Sequence, residues 1–396
     1  MFDKDICIIG GCGHVGLPLA LAFADKGLKV AVHDINEQAV NLVNAGKMPF
    51  LEDGAEDILK RVINKNFVVA NNPKLISESK FVIVIIGTPV DEYLNPKFNA
   101  INKFFNNLLP FFKQGQHVVL RSTVYPGTTG KIKTLLEKNG IEVNLTFCPE
   151  RIAEGKAMEE LVALPQIVSG FNQESMDEIA DIFRNLTKDI VFVDPIEAEL
   201  TKLFTNSWRY IQFATANQFY MLAHQHGVDF YKIYDAMRFN YPRAKGFPSP
   251  GLTAGPCLLK DTMQIAAFSN NNFFLGHAAM LINEGIPNYI VQKLKEQYPL
   301  KDKRFGILGM AFKGNNDDIR DSLSYKIKKI LEIEALDVLC TDVYVKGPEI
   351  KSVQTVIDES DIIILGAPHK EYKNLEFGKD KIIVDIWNYY GKGGMF

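Results

Sequence analysis

Residues 6–16 read ICIIGGCGHVG, and this stretch decides the fold. Its first four residues predict a short buried strand, and the helix-period apolar residues that follow predict a helix over residues 17–26. Between them, Gly11, Gly13 and Gly16 form the pattern GxGxxG. The first glycine permits a tight turn, the second lets the backbone approach a pyrophosphate, and the third lets helix and strand pack closely. The pattern alone is not specific, but this setting predicts a dinucleotide site at a helix N-terminus.

An acidic residue follows the next predicted strand, residues 29–33. Asp34 lies 18 residues beyond Gly16, where a carboxylate can accept hydrogen bonds from the adenosine ribose and would repel a 2′-phosphate. We therefore predict NAD rather than NADP as the cofactor. Two later strand ends, at Thr88 and Thr123, should lie at the same edge of the sheet, because ligands of open α/β sheets bind beyond the carboxyl ends of strands. Ordinary Gly/Pro/Thr turns are the alternative at both places.

Short apolar runs alternate with helical patterns along the first half of the chain. Most of these runs are continuously apolar, as in parallel strands that are buried on both faces. The alternation predicts an α/β fold with an N-terminal Rossmann-type, doubly wound parallel sheet. The predicted strands are residues 6–9, 29–33, 81–86, 117–120, 143–147 and 190–193.

The pattern changes near residue 195. Residues 196–227 contain no proline and a single glycine, and their periodicity predicts one long connecting helix. Helical sequence then continues to about residue 295, interrupted by the loop 240–256, whose four prolines and three glycines exclude regular structure. Strand–helix alternation returns after residue 301. We predict three domains: 1–195, which binds NAD; 196–300, which is helical and carries the loop; and 301–396, a smaller Rossmann-like α/β domain.

The composition excludes several classes of protein. The 396 residues include 44 Lys and Arg against 47 Asp and Glu, and the resulting charge of −3 lacks the basic excess of a nucleic-acid binder. No apolar run reaches the roughly 18 residues of a membrane span. Five scattered cysteines without a CxxC pattern predict a cytoplasmic protein without disulfides, and seven dispersed histidines predict no metal site.

One cysteine has the setting of a nucleophile. Cys257, in GPCLLKD, ends the Pro/Gly loop and begins a helical stretch, and both a helix N-terminus and the nearby Lys260 favour a thiolate. Asp261 can serve as a base or orient a water molecule. The alternative is a buried, inert cysteine. The other four cysteines lack this setting and are predicted to be structural.

Two pairs of polar residues are spaced four apart. Lys202 and Asn206 share one face of the long helix, where a cation and an amide can hold an alkoxide. Glu150 and Glu154, in CPERIAEG, can divide the roles of acid, base and ligand. A solvated helix face is the alternative for both pairs.

Seven stretches together resemble one known family, the UDP-glucose/GDP-mannose dehydrogenases, which are nucleotide-sugar 6-dehydrogenases. In the family's order, they are GGCGHVGLPLA, GTPVD, STVYPGTT, CPERIAEG, TKLFTNSWRY, GPCLLKD and GMAFKGNNDDIRDS. The resemblance implies an NAD domain, a central helical domain that forms a homodimer, and a C-terminal domain that binds the UDP of a nucleotide sugar. It also implies four-electron oxidation of the C6 alcohol of an NDP-hexose to the uronic acid, with two NAD and one water consumed.

The same resemblance assigns individual residues. Cys257 matches the nucleophile, which would hold the aldehyde as a thiohemiacetal and then as a thioester. The other positions matched to catalysis are Lys202, Asn206, Asp261, Glu150 and Thr123. Those matched to the cofactor are Gly11, Gly13, His14, Val15, Gly16, Asp34, Thr88, Thr123, Glu154, Lys260 and Arg320. Those matched to the substrate are Glu150, Lys202, Asn206, Arg243, Phe247, Gly251 and Lys313.

The loop before the nucleophile departs from the family pattern. Residues 247–252 read FPSPGL, where many members alternate glycine and phenylalanine, and residues 253–256 read TAGP. Because this loop lies close to the sugar in the family, the identity of the hexose stays open. Residues 241–243 resemble members that act on 2-acetamido sugars, whereas residues 259–261 resemble the UDP-glucose type.

Two other functions compete with this interpretation. A two-electron NAD-dependent hydroxy-acid dehydrogenase also joins a Rossmann domain to a helical one, but the second α/β domain counts against it. A non-catalytic sensor of NAD or nucleotide sugar would be expected to lack Cys257 or Lys202, and both are present.

Overall fold

The computed structural model describes residues 2–87, 91, 97–252 and 255–391. The chain divides into two compact units, Met1–Phe204 and Thr205–Phe396. The first unit contains the predicted NAD-binding domain. The second contains most of the predicted helical domain together with the predicted C-terminal domain. The division into three domains stays a prediction.

The first unit is built on an eight-stranded sheet. Its strands are β1 (Lys4–Ile9), β2 (Val30–His33), β3 (Phe67–Ala70), β4 (Ser79–Val84), β5 (His117–Leu120), β6 (Asn144–Phe147), β7 (Gln166–Gly170) and β8 (Ile190–Val193). The order is β3-β2-β1-β4-β5-β6-β7-β8, and every neighbouring pair is parallel except β6 and β7. The predicted α/β fold is confirmed, and the order 3-2-1-4-5-6 is that of dinucleotide-binding sheets.

The sequence prediction missed two of these strands. β3 is an edge strand in which buried and half-buried residues alternate, so it lacks the continuous buried run of its neighbours. β7 reads QIVSG, where only Ile167 and Val168 are apolar, and it runs antiparallel to β6. The sequence of β3, FVVA, is itself a short apolar run and the prediction overlooked it, whereas β7 lacks the continuous apolar run of a central parallel strand.

Helices pack on both faces of this sheet and form two separate cores. Alternate residues of β1 show the division, because Ile6 and Ile8 belong to one buried cluster and Cys7 and Ile9 to the other. The helices are α1 (Gly16–Asp25), α2 (Glu37–Asn44), α3 (Ala55–Val62), α4 (Lys74–Ser77), α5 (Phe98–Leu108), α6 (Thr128–Lys138), α7 (Ala157–Ala163) and α8 (Gln173–Phe183).

The predicted long helix is present as α9 (Pro195–Gln225), with 31 residues. Its first residue is proline, which suits a helix start because the N–H that proline lacks would have no partner within the helix. Gly227, at φ 65°, follows its last turn and allows the chain to leave the helix. The helix begins in the first unit and ends in the second.

The second unit combines helices with a small sheet. The helices are α10 (Phe230–Arg238), α11 (Leu258–Phe268), α12 (Phe274–Gln297), α13 (Leu323–Glu334) and α14 (Val353–Glu359). The strands are β9 (Arg304–Leu308), β10 (Asp337–Thr341), β11 (Ile362–Leu365) and β12 (Ile382–Val384). They are all parallel, in the order β10-β9-β11-β12. Among the described residues, no helix has both the length and the apolar character that crossing a membrane requires.

Candidate active site

The glycine turn after β1 contains glycines of two kinds. A Cβ on Gly11 would lie 2.8 Å from a methyl carbon of Val32, and a Cβ on Gly16 would lie 2.6 Å from the Cα of Gly11. These two glycines are therefore required by the close packing of β1, β2 and α1. A Cβ on Gly13 would have its nearest described neighbour 4.0 Å away, at the carbonyl oxygen of Gly10. Packing within the described protein therefore does not require glycine at position 13, and the space beside it suits the close approach of a pyrophosphate.

Asp34 follows β2 and joins it to the glycine turn. One carboxylate oxygen accepts the Cys12 N–H at 2.9 Å, and the other accepts the Asn36 N–H at 2.9 Å. These bonds hold a partly exposed carboxylate at the carboxyl end of the sheet, where it suits a ribose diol. A groove of about 800 Å³ opens beside it. Ile35 lines this groove and is 80% exposed, so it offers an apolar face to an aromatic base.

The start of α1 completes the cofactor site. Val15 occupies the N-cap position of α1 without a side-chain cap. The Leu17 N–H donates to the Gly13 carbonyl at 3.0 Å and Pro18 has no N–H, so the positive end of the helix dipole is what suits a pyrophosphate here. The His14 ring packs against the Phe50 ring at a tilt of 35°, with 4.0 Å between the ring centroids. The open Cβ position at Gly13, the carboxylate and this helix end together fit NAD.

Gly13→Ala and Gly16→Ala are expected to fail in different ways. The first should fold normally and bind NAD at least about tenfold more weakly, because its methyl group occupies the space of the pyrophosphate. The second should lower the thermal unfolding midpoint, because its methyl group collides with the backbone of the turn. Calorimetric titration with NAD and thermal melts of both variants test this. Equal NAD affinity in wild type and Gly13→Ala would contradict it.

The strand ends after β4 and β5 are tied together. The Ser122 hydroxyl accepts the Ile86 N–H at 2.8 Å, and the half-buried Thr123 follows directly. Thr123 is thereby placed at the carboxyl end of the sheet, where the sequence predicts it. Thr88, the other predicted residue of this edge, lies outside the described residues.

Glu150 is held by a buried arginine that sequence reasoning missed. Arg121, whose side chain is 1% exposed, donates from Nε to a Glu150 oxygen at 2.9 Å and from Nη2 to the same oxygen. Its Nη1 donates to the Cys148 carbonyl and the Gln166 side chain at 3.1 and 3.0 Å. The second Glu150 oxygen accepts the N–H groups of the next two residues, at 2.6 and 3.0 Å. These contacts hold the Glu150 carboxylate in one position, which favours a role in binding a ligand. The available signal was a basic residue directly after the apolar strand β5.

Glu154 lies half-buried in a turn that other carboxylates hold in place. Glu160 accepts the Ala153 N–H at 2.6 Å, and Glu52 accepts two N–H groups just after Glu154, at 2.8 and 2.7 Å. Burial raises the pKa of Glu52. Sequence reasoning missed Glu52 because it is about 100 residues from the turn that it caps.

Cys257 is the cysteine that solvent reaches. It is exposed, whereas Cys7, Cys12, Cys148 and Cys340 are buried. Burial raises the pKa of these four thiols to about 12, so they stay protonated at neutral pH. Cys257 occupies the N-cap position of α11, where the helix dipole favours an anion.

Asp261 joins the predicted residues of the second unit into one cluster. It is wholly buried in the first turn of α11, and its N–H donates to the Cys257 carbonyl at 2.9 Å. One of its oxygens accepts the Asn206 amide at 2.6 Å, and the other accepts the Lys260 ammonium at 2.7 Å. Lys202 lies half-buried one turn before Asn206 on α9. The fold therefore brings an amide and an ammonium group to the helix turn that begins at the thiol.

The loop before the candidate nucleophile is fixed by aromatic rings. A Cβ on Gly251 would lie 2.1 Å from the Trp387 ring, and a Cβ on Gly255 would lie 2.8 Å from the Phe312 ring. The Gly251 N–H also donates to the Asn217 side chain at 2.9 Å. Sequence reasoning missed Trp387, Phe312 and Asn217, because each is far from the loop along the chain.

The other predicted loop residues lie among aromatic side chains. The Phe247 ring has its centroid 5.9 Å from those of Phe219 and Tyr234, and the Tyr234 hydroxyl donates to the Phe247 carbonyl at 3.2 Å. Arg243 is exposed and donates to the Tyr241 hydroxyl at 3.1 Å. Phe247 is therefore anchored, and Arg243 lies at the surface of the described unit.

Two positively charged residues of the predicted site, Lys313 and Arg320, lie between β9 and α13. Lys313 is half-buried, with its Nζ 5.5 Å from the centroid of the Phe312 ring. Arg320 donates from Nε to both oxygens of Asp318 at 3.0 and 2.8 Å, and its side chain is 55% exposed. Both residues carry positive charge on the segment that follows the first strand of the small sheet.

The sheet, the glycine turn and the acidic residue after β2 are those of an NAD-binding protein of the Rossmann type. Three segments of the chain identify its group: residues 4–187, 196–284 and 306–392 match the NAD-binding, central and UDP-binding domains of the UDP-glucose/GDP-mannose dehydrogenase family. The chain belongs to this family, which confirms the resemblance found in the sequence and NAD as the cofactor.

Known relatives match over nearly the full length. The chain is 29% identical to a UDP-N-acetyl-D-mannosamine dehydrogenase of Pyrococcus horikoshii over 394 residues, which cover 95% of this chain and 93% of that protein. It is 30% identical to one of Methanococcus vannielii over 409 residues, with 97% and 93% covered. The solved structure of a UDP-D-ManNAc dehydrogenase from P. horikoshii matches with a TM-score of 0.87 at 28% identity, covering 94% of this chain and 91% of that one. This protein is an NAD-dependent nucleotide-sugar dehydrogenase.

Proposed function

We propose that this protein oxidises the C6 alcohol of a UDP-hexose to the carboxylate through a thiohemiacetal and a thioester on Cys257. One observation carries the proposal: Cys257 is exposed, unlike the other four cysteines, and begins the helix turn that holds Lys260 and Asp261. A dehydrogenase without a thiol would release the aldehyde after the first oxidation. The alcohol, one water molecule and two NAD⁺ give the carboxylate, two NADH and three protons.

The first oxidation needs groups that stabilise a developing alkoxide. Asn206 has two amide hydrogens on Nδ2, of which one donates to Asp261. We assign the second, together with the Lys202 ammonium, to the alkoxide oxygen. Bound NAD supplies the hydride acceptor in each oxidation. We assign Thr123, Glu154, Lys260 and Arg320 to its binding, along with Thr88 and the glycine-turn residues.

The second oxidation depends on the thiol. The Cys257 sulfur attacks the aldehyde carbon to form a C–S bond, and the carbonyl oxygen becomes the thiohemiacetal hydroxyl. The thiohemiacetal carbon then loses a hydride to NAD⁺ and its hydroxyl loses a proton, which gives the thioester. Water attacks the thioester carbon, the C–S bond breaks, and the thiol is restored. We assign the orientation of that water to Asp261, which lies one turn from the thiol. Glu150, which Arg121 and backbone N–H groups already bind, is assigned to substrate contact.

We propose UDP-N-acetyl-D-mannosamine as the first substrate to test and UDP-glucose as the second. Relatives with the former name align with 95–97% of this chain. Arg243, Phe247 and Gly251 of the catalytic loop are assigned to the sugar, and Lys313 to the nucleotide portion. With these assignments, Phe247 offers an aromatic ring to the sugar, and Arg243 and Lys313 offer positive charge to the anionic nucleotide sugar.

A panel of four UDP- and GDP-hexoses, including these two UDP-sugars, tests the function. We expect two NADH and one uronic acid per molecule of one UDP-sugar consumed, measured by absorbance and by mass spectrometry of the product. A stoichiometry of one NADH, with aldehyde as the product, would contradict the proposal and favour a two-electron dehydrogenase. Tight NAD binding without turnover on any member would favour a sensor.

A homodimer is the oligomeric state that we propose. In the second unit, Trp208 on α9 and Phe274, Leu275 and Leu281 on α12 are between 60% and 75% exposed. Exposed apolar side chains of this size on neighbouring helices are typical of an interface. We expect light scattering to give twice the 44.5 kDa chain mass and Leu281→Glu to reduce it to that of one chain, with an unchanged circular dichroism spectrum. A wild-type mass of one chain at micromolar concentration would contradict the proposal.

A further inference from the structure

The segment that carries Lys313 is attached to the loop after β11. A Cβ on Gly314 would lie 2.4 Å from the Pro368 carbonyl oxygen, so the two backbones are in close contact. The Asn315 N–H donates to Nδ1 of His369 at 2.8 Å. The Lys370 N–H in turn donates to the Asn315 side chain at 2.8 Å. These contacts begin one residue after Lys313 and restrict where its backbone can lie.

The two ring nitrogens of His369 have different partners. Because Nδ1 accepts an N–H, the ring proton must be on Nε2. Nε2 lies 3.0 Å from Oδ2 of Asp342, to which it donates, and both side chains are wholly buried. Although burial acts to raise the pKa of Asp342, the hydrogen bond from His369 and the backbone N–H groups of Val345 and Tyr344 hold it at about 2. The imidazole of His369 therefore connects a buried carboxylate to the loop backbone.

Asp342 occupies the place in the small sheet that Asp34 occupies in the large one. Each follows the second strand of its sheet, and each accepts the N–H two residues ahead, Asn36 at 2.9 Å and Tyr344 at 2.7 Å. Each also accepts a backbone N–H from the turn after the first strand. The difference is access. Asp34 is partly exposed beside a groove, whereas Asp342 is buried and occupied by His369.

We propose that His369 is a positioning residue of the nucleotide-sugar site: it transfers the anchorage of Asp342 to the Asn315 backbone and so fixes Lys313 for the nucleotide. Asp34 of the first sheet suits a ribose, whereas the equivalent Asp342 of the second sheet binds His369 and so holds the loop in place. The inference rests on the proposed function, in which Lys313 contacts the nucleotide sugar. The same segment borders the catalytic loop, since Phe312 packs against Gly255.

Two substitutions of His369 separate the contact made by Nδ1 from the contact made by Nε2. The amide oxygen of His369→Asn can take the place of Nδ1 and accept the Asn315 N–H. The amide nitrogen of His369→Gln can take the place of Nε2 and donate to Asp342, but it leaves the Asn315 N–H without its acceptor. We expect His369→Gln to raise the Kd for UDP about tenfold and His369→Asn about twofold, on the scale of one lost hydrogen bond. Calorimetry with UDP, and KM and kcat on the preferred UDP-sugar, measure this.

A positioning role makes further demands. In His369→Gln the KM for the UDP-sugar should rise while kcat and the Kd for NAD stay within about twofold of wild type. In a Lys313→Ala background, His369→Gln should raise the Kd for UDP less than about twofold, because the loop no longer carries the cation. An equal effect in both backgrounds, or equal Kd values for the Asn and Gln variants, would overturn the proposal.

The controls separate this proposal from the proposed function. A wild-type protein that neither binds UDP nor oxidises a UDP-sugar would refute the proposed function. A wild-type protein that does both, with unchanged UDP binding in His369→Gln, would refute only the role of His369. Should His369→Gln fail to fold, Asn315→Gly tests the attachment of this segment to the loop after β11. It keeps the left-handed backbone of residue 315, where φ is 55°, and the N–H that donates to His369, but it removes the acceptor for the Lys370 N–H. We expect weaker UDP binding, and unchanged binding would overturn the proposal that this attachment fixes Lys313.

Discussion

Cys257→Ala is expected to lose uronic acid formation by a factor on the order of 10³ or more, which is the scale seen when a catalytic nucleophile is removed. The reason is chemical. Without the thiol, the aldehyde has no covalent attachment and no route to a thioester. Binding should persist, because the NAD turn and Asp34 belong to the first unit and the substitution leaves them intact.

Two quantities are measured: the uronic acid produced per NADH, with the acid quantified by mass spectrometry, and the Kd for NAD. Cys340→Ala is the matched control, since it removes a buried thiol from the same unit. It should lower stability slightly and leave the stoichiometry at two NADH per acid. Uronic acid formation by Cys257→Ala at the wild-type rate would exclude the covalent mechanism and would leave the NAD-dependent class intact.

Arg121→Met is expected to destabilise the first unit by roughly 3–5 kcal/mol, because it leaves a buried carboxylate without its cation. Glu150 would keep two backbone N–H donors but lose the guanidinium on its other oxygen. The Cys148 carbonyl and the Gln166 side chain would lose a donor as well. On a unit of this size, the change corresponds to a fall in thermal midpoint on the order of 10 °C.

Differential scanning calorimetry measures this effect, and two variants interpret it. Lys60→Met removes the surface ion pair between Lys60 and Glu56, whose side chains are 56% and 48% exposed, respectively. It should leave the thermal midpoint unchanged. The double variant Arg121→Met/Glu150→Leu removes both buried charges and should recover much of the lost stability. Since we assign Glu150 to substrate contact, it should not recover activity. A midpoint for Arg121→Met within 2 °C of wild type would refute the structural role of Arg121.

Much of the fold and part of the site follow from local patterns. The spacing of Gly11, Gly13 and Gly16 between a strand and a helix is sufficient to predict the cofactor turn, and the structure separates the two glycines that packing requires from Gly13, which packing does not require. Helical periodicity predicts α9 almost to its ends. The neighbours of Cys257 along the chain already indicate a nucleophile.

Other features could not be predicted from neighbouring residues. Exposure of Cys257 and burial of Cys148 depend on which elements cover each thiol. The apolar pattern of β7 is too short to identify it as a strand, since pairing with β6 is what orders it.

The division between what local sequence and tertiary structure decide therefore follows the range of the interactions. Turn geometry, helix periodicity and strand burial are set by residues a few positions apart, so the chain alone identified a Rossmann-type fold, an NAD turn and a candidate thiol. Partner choice is set by residues that meet only after folding. Arg121 binds Glu150 29 positions away, Asp261 binds Asn206 55 positions away, and His369 binds Asp342 27 positions away. Only the folded chain shows which charged groups are committed to one another, because burial makes such pairing obligatory and the sequence does not specify the partner.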